Sequence, residues 1–209
     1  MSARREPRRA SAGYTIVEVM MALAVLTLGA AGVIALQKAT LIANTNARNL
    51  ATATAIGQAW MERLRVDALG WNEMASLPDI AQTAWLGPAG TAAPANGAGW
   101  FTPTTVAFGG TLPAGSPTAD VLGADLYAGD EPKLVPAFCT QVRLTRFAGT
   151  KDAALGALYR SMRIEVRVLW DRLGQQVDCA TLPAGWDVEV GRYGTVYLVS
   201  AAMENPAPF

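Results

Sequence analysis

The sequence predicts an α+β chain: one long N-terminal helix, apolar enough in its first half to span a membrane, packed through its second half on a small antiparallel sheet. Three observations predict it. Val19 to Leu36 is a run of eighteen residues in which Thr27 is the only polar side chain, a three-to-four spacing of small and apolar residues continues from Ala43 to Leu64, and the last third of the chain changes to a period of two. Composition agrees. Of 209 residues, 51% are apolar and 16% charged, which argues against a disordered chain, and the length suits one globular domain with an appendage. Lys+Arg 17 balance Asp+Glu 17, which removes the basic footprint of a nucleic-acid binder, so no direct nucleic-acid binding is expected. Without histidine there is no Ser-His-Asp triad, Cys-His dyad or His-ligated zinc, and 2 cysteines are too few for a four-thiolate site. No metal, cofactor or catalytic residue is therefore expected.

The first element is a basic leader. Arg4, Arg5, Arg8 and Arg9 face a single acid, Glu6, within the first thirteen residues, which leaves 13 basic and 16 acidic groups for the rest. Arginines on that flank place it in the cytoplasm and everything from Gln37 onward across the membrane. Eighteen residues span ~27 Å as helix, close to the hydrocarbon thickness of about 30 Å. A secretory signal peptide would carry a shorter apolar region, of about 7–15 residues. Glu18 stands at the start of this run, where a carboxylate reaching the bilayer interior costs roughly 2–3 kcal/mol. Something must compensate for it.

Gly13-Tyr14-Thr15-Ile16-Val17-Glu18, followed by Val19-Met20-Met21-Ala22-Leu23, resembles the processing site of type IV prepilins and type II secretion pseudopilins. The resemblance implies that a prepilin peptidase cuts after Gly13 on the cytoplasmic face, discards residues 1–13 as a leader and N-methylates Tyr14, so that Glu18 becomes the fifth mature residue. It also implies a pilin fold: a transmembrane and filament-core helix over 14–36, its amphipathic continuation over 37–70, an αβ-loop region over 71–136 that is Gly/Pro-rich from about 87, and an antiparallel sheet over 137–209. In such a filament Glu18 can face the α-amino group of Tyr14 on a neighbour. An unpaired carboxylate is expensive in a dry core and a pair recovers much of that cost, so Glu18 sets axial register more than it adds strength. The bland reading, Glu18 in the headgroup region of a plain signal anchor, leaves the rest of the motif unexplained.

Gly29-Ala30-Ala31-Gly32 and Ala35-Leu36-Gln37 resemble the corresponding segment of V-type minor pilins, the type IV pilus modification proteins, which are similar to I-type minor pseudopilins. Ala35 falls where major pilins commonly place a proline, so melting is not expected from proline here. The two glycines lower helix propensity by about 1 kcal/mol each. The resemblance implies a non-catalytic subunit that joins other minor pilins on the inner-membrane assembly platform, primes the pilus, recruits major pilin and ends at the pilus tip, where an adhesin can attach. Cell adhesion and twitching motility follow from the resemblance alone. Before assembly the N-terminus would be cytoplasmic and the globular domain periplasmic. The nearer alternative is an I-type minor pseudopilin of a type II secretion system. A remoter one is a membrane-anchored periplasmic hydrolase using acids such as Asp171 and Asp187, for which no paired-acid spacing is visible.

Beyond the membrane, Ala43, Ala47, Leu50, Thr54, Gly57, Met61 and Leu64 lie on one helical face and no proline occurs until Pro78. One helix from about Thr15 to about Leu69, ~80 Å long, should stop at Gly70. Trp60, Met61 and Leu64 form the stripe expected to pack on the sheet, and Glu62 and Arg65 a solvated i,i+3 pair. From Gly87 to Asp125 the density of Gly and Pro predicts no regular element, and the stretch is either a mobile connection or a surface for partners. Among Trp71, Trp85 and Trp100, at least one should anchor this region on the domain. Phe138 to Phe147 and Asp187 to Ser200 are strand candidates. The clearest strand alternates Met162, Ile164, Val166, Val168 and Trp170 against Arg163, Glu165 and Arg167, with a turn at Arg172-Leu173-Gly174-Gln175. Three or four strands result, with the Arg/Glu face expected to be a solvated outer surface. Cys139 and Cys179, in a domain placed outside the cytoplasm, should form a disulfide worth ~4 kcal/mol in the chain-entropy model.

Overall fold

The computed structural model describes residues 13–74, 77–79, 83–86, 99–107, 114–127, 135–147, 161–179, 182 and 191–203. The chain falls into two compact units, Met1–Thr45 and Asn46–Phe209. A single helix, α1, runs over Ile16–Leu69 and contributes to both. Its start is fixed by Thr15, whose hydroxyl accepts the Glu18 amide at 3.4 Å and whose carbonyl accepts the amides of Glu18 and Val19. Its end falls at the predicted glycine, where the Gly70 amide donates to the Asp67 carbonyl at 3.0 Å and the Trp71 amide to that of Ala68 at 3.1 Å. The helix passes through Gly29, Gly32 and Ala35 without interruption.

In the first unit the helix carries its apolar side chains outward on all sides. Val19, Met20, Leu23, Leu26, Val33, Ile34 and Leu36 are all exposed, and Ile16–Leu69 contains a stretch long and apolar enough to cross a membrane. Such a surface requires either lipid or protein around it.

In the second unit, α1 contributes Ala53, Ile56, Trp60, Met61 and Leu64 to a core closed by a four-stranded antiparallel sheet. The strands are β3 (Thr118–Ala119), β4 (Phe138–Phe147), β5 (Ser161–Asp171) and β6 (Tyr193–Met203), in the order β3-β4-β5-β6. A separate two-stranded pair, β1 (Asn72–Met74) with β2 (Leu77–Asp79), follows the helix. The register sets Val142 against Val166 and Leu144 against Ile164 across β4 and β5, and Val168 against Val196 across β5 and β6. Met162, Ile164, Val166 and Val168 are fully buried against the helix, as their alternation predicts. Gly57 lets α1 approach β6 closely: a Cβ there would stand 2.6 Å from Leu198 Cδ1. The predicted turn after β5 contains Gly174 at φ 75°, a left-handed conformation that other residues adopt at a cost.

Two expectations need correction. The Gly/Pro-rich region over 87–125 is not without regular structure: β3 lies inside it, and Phe101 exchanges two hydrogen bonds with Val142, each 2.9 Å. Both pair with the outer edge of β4. The backbone donors and acceptors of that edge supply what the segment's own sequence lacks. Residues 87–98 and 108–113 lie outside the described residues. The Arg/Glu face of β5 is not a solvated surface either, because Glu165 and Arg167 are buried, at 1% and 5% exposure. Their cover comes from Arg143 and Tyr197 on the neighbouring strands and from Trp100 in the loop region. The β1–β2 pair was not expected, since strands of 3 residues are too short to display a period. Of the C-terminal strand candidate, Tyr193 onward is β6, and residues 183–190 lie outside the described residues.

Candidate functional site

Of the residues singled out at the N-terminus, Gly13 and Tyr14 immediately precede α1 and Glu18 lies on its first turn. Tyr14 is 83% exposed, and Glu18 occupies the third helical position after the Thr15 cap. Thr15-x-x-Glu18 is also the sequence signature of a capping box, of which the structure shows the half in which the Glu18 amide donates to the Thr15 hydroxyl. A carboxylate in the first turn also complements the helix dipole. A Cβ added at Gly13 would meet nothing within 4 Å, and the same holds at Gly29 and Gly32. The fold of the isolated chain therefore does not demand these glycines, so any demand for them comes from what reads or packs against the segment.

The domain is tied together by three polar assemblies. Asp67, in the last turn of α1, is buried; its Oδ1 accepts the Ala84 amide at 2.6 Å and its Oδ2 accepts those of Trp85 at 2.8 Å and Leu86 at 3.1 Å. Burial pushes the Asp67 carboxyl above its ordinary value, against the pull of the three amides. The clamp seats Trp85 edge-on to Trp60 with 5.2 Å between ring centroids, and the Trp85 indole N–H donates to the Thr104 carbonyl at 2.9 Å. Trp71 and Trp85, both in the core, meet the expectation that at least one of Trp71, Trp85 and Trp100 anchors this region.

On the opposite face of the sheet, Glu165 accepts from Arg143 Nε at 2.5 Å and Nη2 at 2.9 Å, from Arg163 Nη2 at 2.7 Å and from the Tyr197 hydroxyl. The Arg143 hydrogen bond is the main cause that holds Glu165 below its ordinary carboxylate pKa, while burial and its acceptor Glu165 push the Tyr197 phenol up. Trp100 lies against the same cluster, with Arg167 Cζ 4.2 Å and Arg143 Cζ 4.9 Å from its ring and Tyr197 edge-on at 5.5 Å. Arg167 also donates twice to Gln141 Oε1, at 2.9 and 2.6 Å. The third assembly is an ion pair of Arg63 and Asp125 that joins the helix to the turn after β3 through contacts of 2.5 and 3.3 Å. The expected Glu62–Arg65 pair forms on the helix surface at 2.5 Å, with both side chains more than half exposed.

Cys139 and Cys179 form the expected disulfide, with Cα atoms 5.5 Å apart and a sequence separation of 40. Their sulfurs lie with Val177 in a small second core on the sheet face away from the helix. Asp171, one acid of the hydrolase alternative, is engaged structurally: it accepts from Arg192 Nε at 3.0 Å and from the Leu173 amide at 2.6 Å. Asp187 lies outside the described residues. No cluster of three or more potential metal ligands occurs among the described residues.

Residues 8–34 match the family model of the prokaryotic N-terminal methylation motif. No curated protein and no solved structure matches the chain. The chain thus carries the signal of type IV pilin-like prepilins on a long apolar helix, and its second unit has the α+β, pilin-like arrangement of helix and antiparallel sheet. Proteins bearing this motif are membrane-anchored precursors of filament subunits, and such subunits are structural and generally not enzymes.

Proposed function

We infer that this chain is a minor pilin of V type, a non-catalytic subunit that helps prime a type IV pilus and resides in its tip complex. The observation that carries the reading is Glu18 on the first turn of a helix whose next eighteen residues are exposed and almost wholly apolar, directly behind a Gly13-Tyr14 junction inside the methylation motif. Cleavage after Gly13 frees the α-amino group of Tyr14. That cation, on an adjacent subunit, is the partner the Glu18 carboxylate needs once it is packed in a filament core, and the pairing favours one axial offset over its neighbours. The exposed apolar helix is satisfied twice, first by lipid and then by the helices of other subunits. Other minor pilins, the major pilin, the prepilin peptidase and the assembly platform are the partners this role requires, and a tip adhesin is compatible with it.

The test is mass spectrometry of sheared fibres and of the membrane fraction. Mature chain should begin at N-methylated Tyr14. Glu18→Ala should be processed normally yet enter fibres at least ten-fold less well. Recovery of the chain with its basic leader from fibres, or normal entry of Glu18→Ala, would overturn the reading. An I-type pseudopilin shares the N-terminal signature, and recovery with a secretion pseudopilus instead of a pilus would assign the chain to that system.

A further inference from the structure

Among the described residues, the sheet ends in an edge strand, β6, that carries none of the usual protections. β6 spans eleven residues, Tyr193–Met203, and is the last strand of the order β3-β4-β5-β6; among the described residues nothing pairs with its outer side. The β5–β6 ladder fixes which backbone groups face outward. The Arg172 amide donates to the Arg192 carbonyl at 2.8 Å, which makes that pair hydrogen-bonded and, by alternation along the register, also Trp170 with Gly194, Val168 with Val196 and Val166 with Leu198. Thr195, Tyr197, Val199 and Ala201 therefore direct their N–H and C=O groups away from the sheet. Natural edges are usually blunted by a lysine, a proline, a bulge or short length. β6 contains no charged residue and no proline, and it is regularly paired over its whole length with β5. Its outward-facing side chains include Tyr197, Val199 and Met203, exposed by 47%, 51% and 65%.

We propose that β6 is a self-association edge, at which two copies of this chain pair their β6 strands antiparallel about a two-fold axis and continue one sheet into the other. A second copy fits for three reasons. An uncharged strand meets no like charge in a copy of itself, whatever the register. A two-fold axis at Leu198 places Tyr197 of each copy opposite Val199 of the other, an aromatic against a β-branched residue, which is a favourable cross-strand pair. The contact is also of the right strength for a membrane protein: a strand of eleven residues is about 37 Å long, and one strand-to-strand seam buries less than the roughly 800 Å² per partner of a standard interface. Such a seam forms weakly in free solution and is helped when both copies are confined to one membrane. The inference goes beyond the filament reading and does not depend on incorporation into a fibre.

The experiment uses the full chain in native membranes with a photo-crosslinking amino acid, p-benzoylphenylalanine, at Ala201 and, as a control away from the edge, at the exposed Val121. Irradiation at position 201 should give a product of twice the 22.0 kDa chain mass, with the link mapped by mass spectrometry to residues 193–203 of the second copy. Position 121 should not. Val199→Pro removes an N–H that points out of the sheet and leaves the β5 ladder intact, so it should lower the product at least ten-fold while retaining the Cys139–Cys179 disulfide and protease resistance. Val199→Lys tests the same edge should the proline variant fail to fold. A monomer only, a link mapped outside β6, a link to a different polypeptide, or a product insensitive to a folded Val199 variant would each overturn the proposal.

Discussion

Asp67 holds the backbone of Trp85: the carboxylate at the end of the helix accepts the Trp85 amide at 2.8 Å, and the indole so placed stands 5.2 Å from Trp60 in the core. One short side chain thus couples the helix terminus, the Ala84–Leu86 backbone of the loop region and an aromatic contact in the core. Asp67→Asn keeps the shape but turns an NH₂ group toward an amide donor. We expect a loss of about 1–3 kcal/mol in urea unfolding of the detergent-solubilised full chain, followed by tryptophan fluorescence, with Asp67→Ala costing more because all three amides lose their acceptor.

Glu165 gives the domain an acid-sensitive limb. Its folded pKa lies below the ordinary 4.5, so its stabilising contribution is fully present above that value and is lost as pH falls through the lower folded pKa. Asp67 has the opposite sign: its pKa is raised above 3.8, so its contribution is present below that value and fades as pH rises through the folded pKa. Comparing Glu165→Gln with the unsubstituted chain, both carrying Asp67, isolates the first effect. Thermal unfolding between about pH 3 and pH 7 should show Glu165→Gln less stable at neutral pH and flatter toward acid. Parallel curves would show that the Arg143–Glu165–Tyr197 cluster does not couple to folding.

Gly57 is a close approach of helix and sheet. Alanine there needs only a small shift of the Leu198 Cδ1 methyl, whereas valine forces the elements apart. Gly57→Val should lose about 1–3 kcal/mol in the same urea assay and Gly57→Ala distinctly less.

The disulfide closes a separation of 40 residues between a central strand and the segment after the β5 turn. Replacing Cys139 and Cys179 together with serine should lower stability by ~4 kcal/mol, an effect carried mainly by the unfolded chain. Near-native fluorescence at low urea, with an early midpoint, is the expected pattern.

What the sequence determined by itself is whatever depends on local pattern: the methylation motif, the apolar run, the extent of the helix from about Thr15 to Gly70 and the inward alternation of β5. Each is a property of residues within a few positions of one another, so periodicity and capping chemistry suffice to read it. Tertiary structure alone decided the rest. Glu165 and Arg167 look like a solvated face because they alternate with apolar residues, and only pairing with β4 and β6, plus the arrival of Trp100 from sixty-odd residues away, buries them. β3 exists because the edge of β4 offers hydrogen bonds to a segment too rich in Gly and Pro to form structure unaided. The place of β6 at the end of the order β3-β4-β5-β6 among the described residues is of the same kind: which strand comes last in a sheet is fixed by long-range pairing, for which a single sequence carries no local mark.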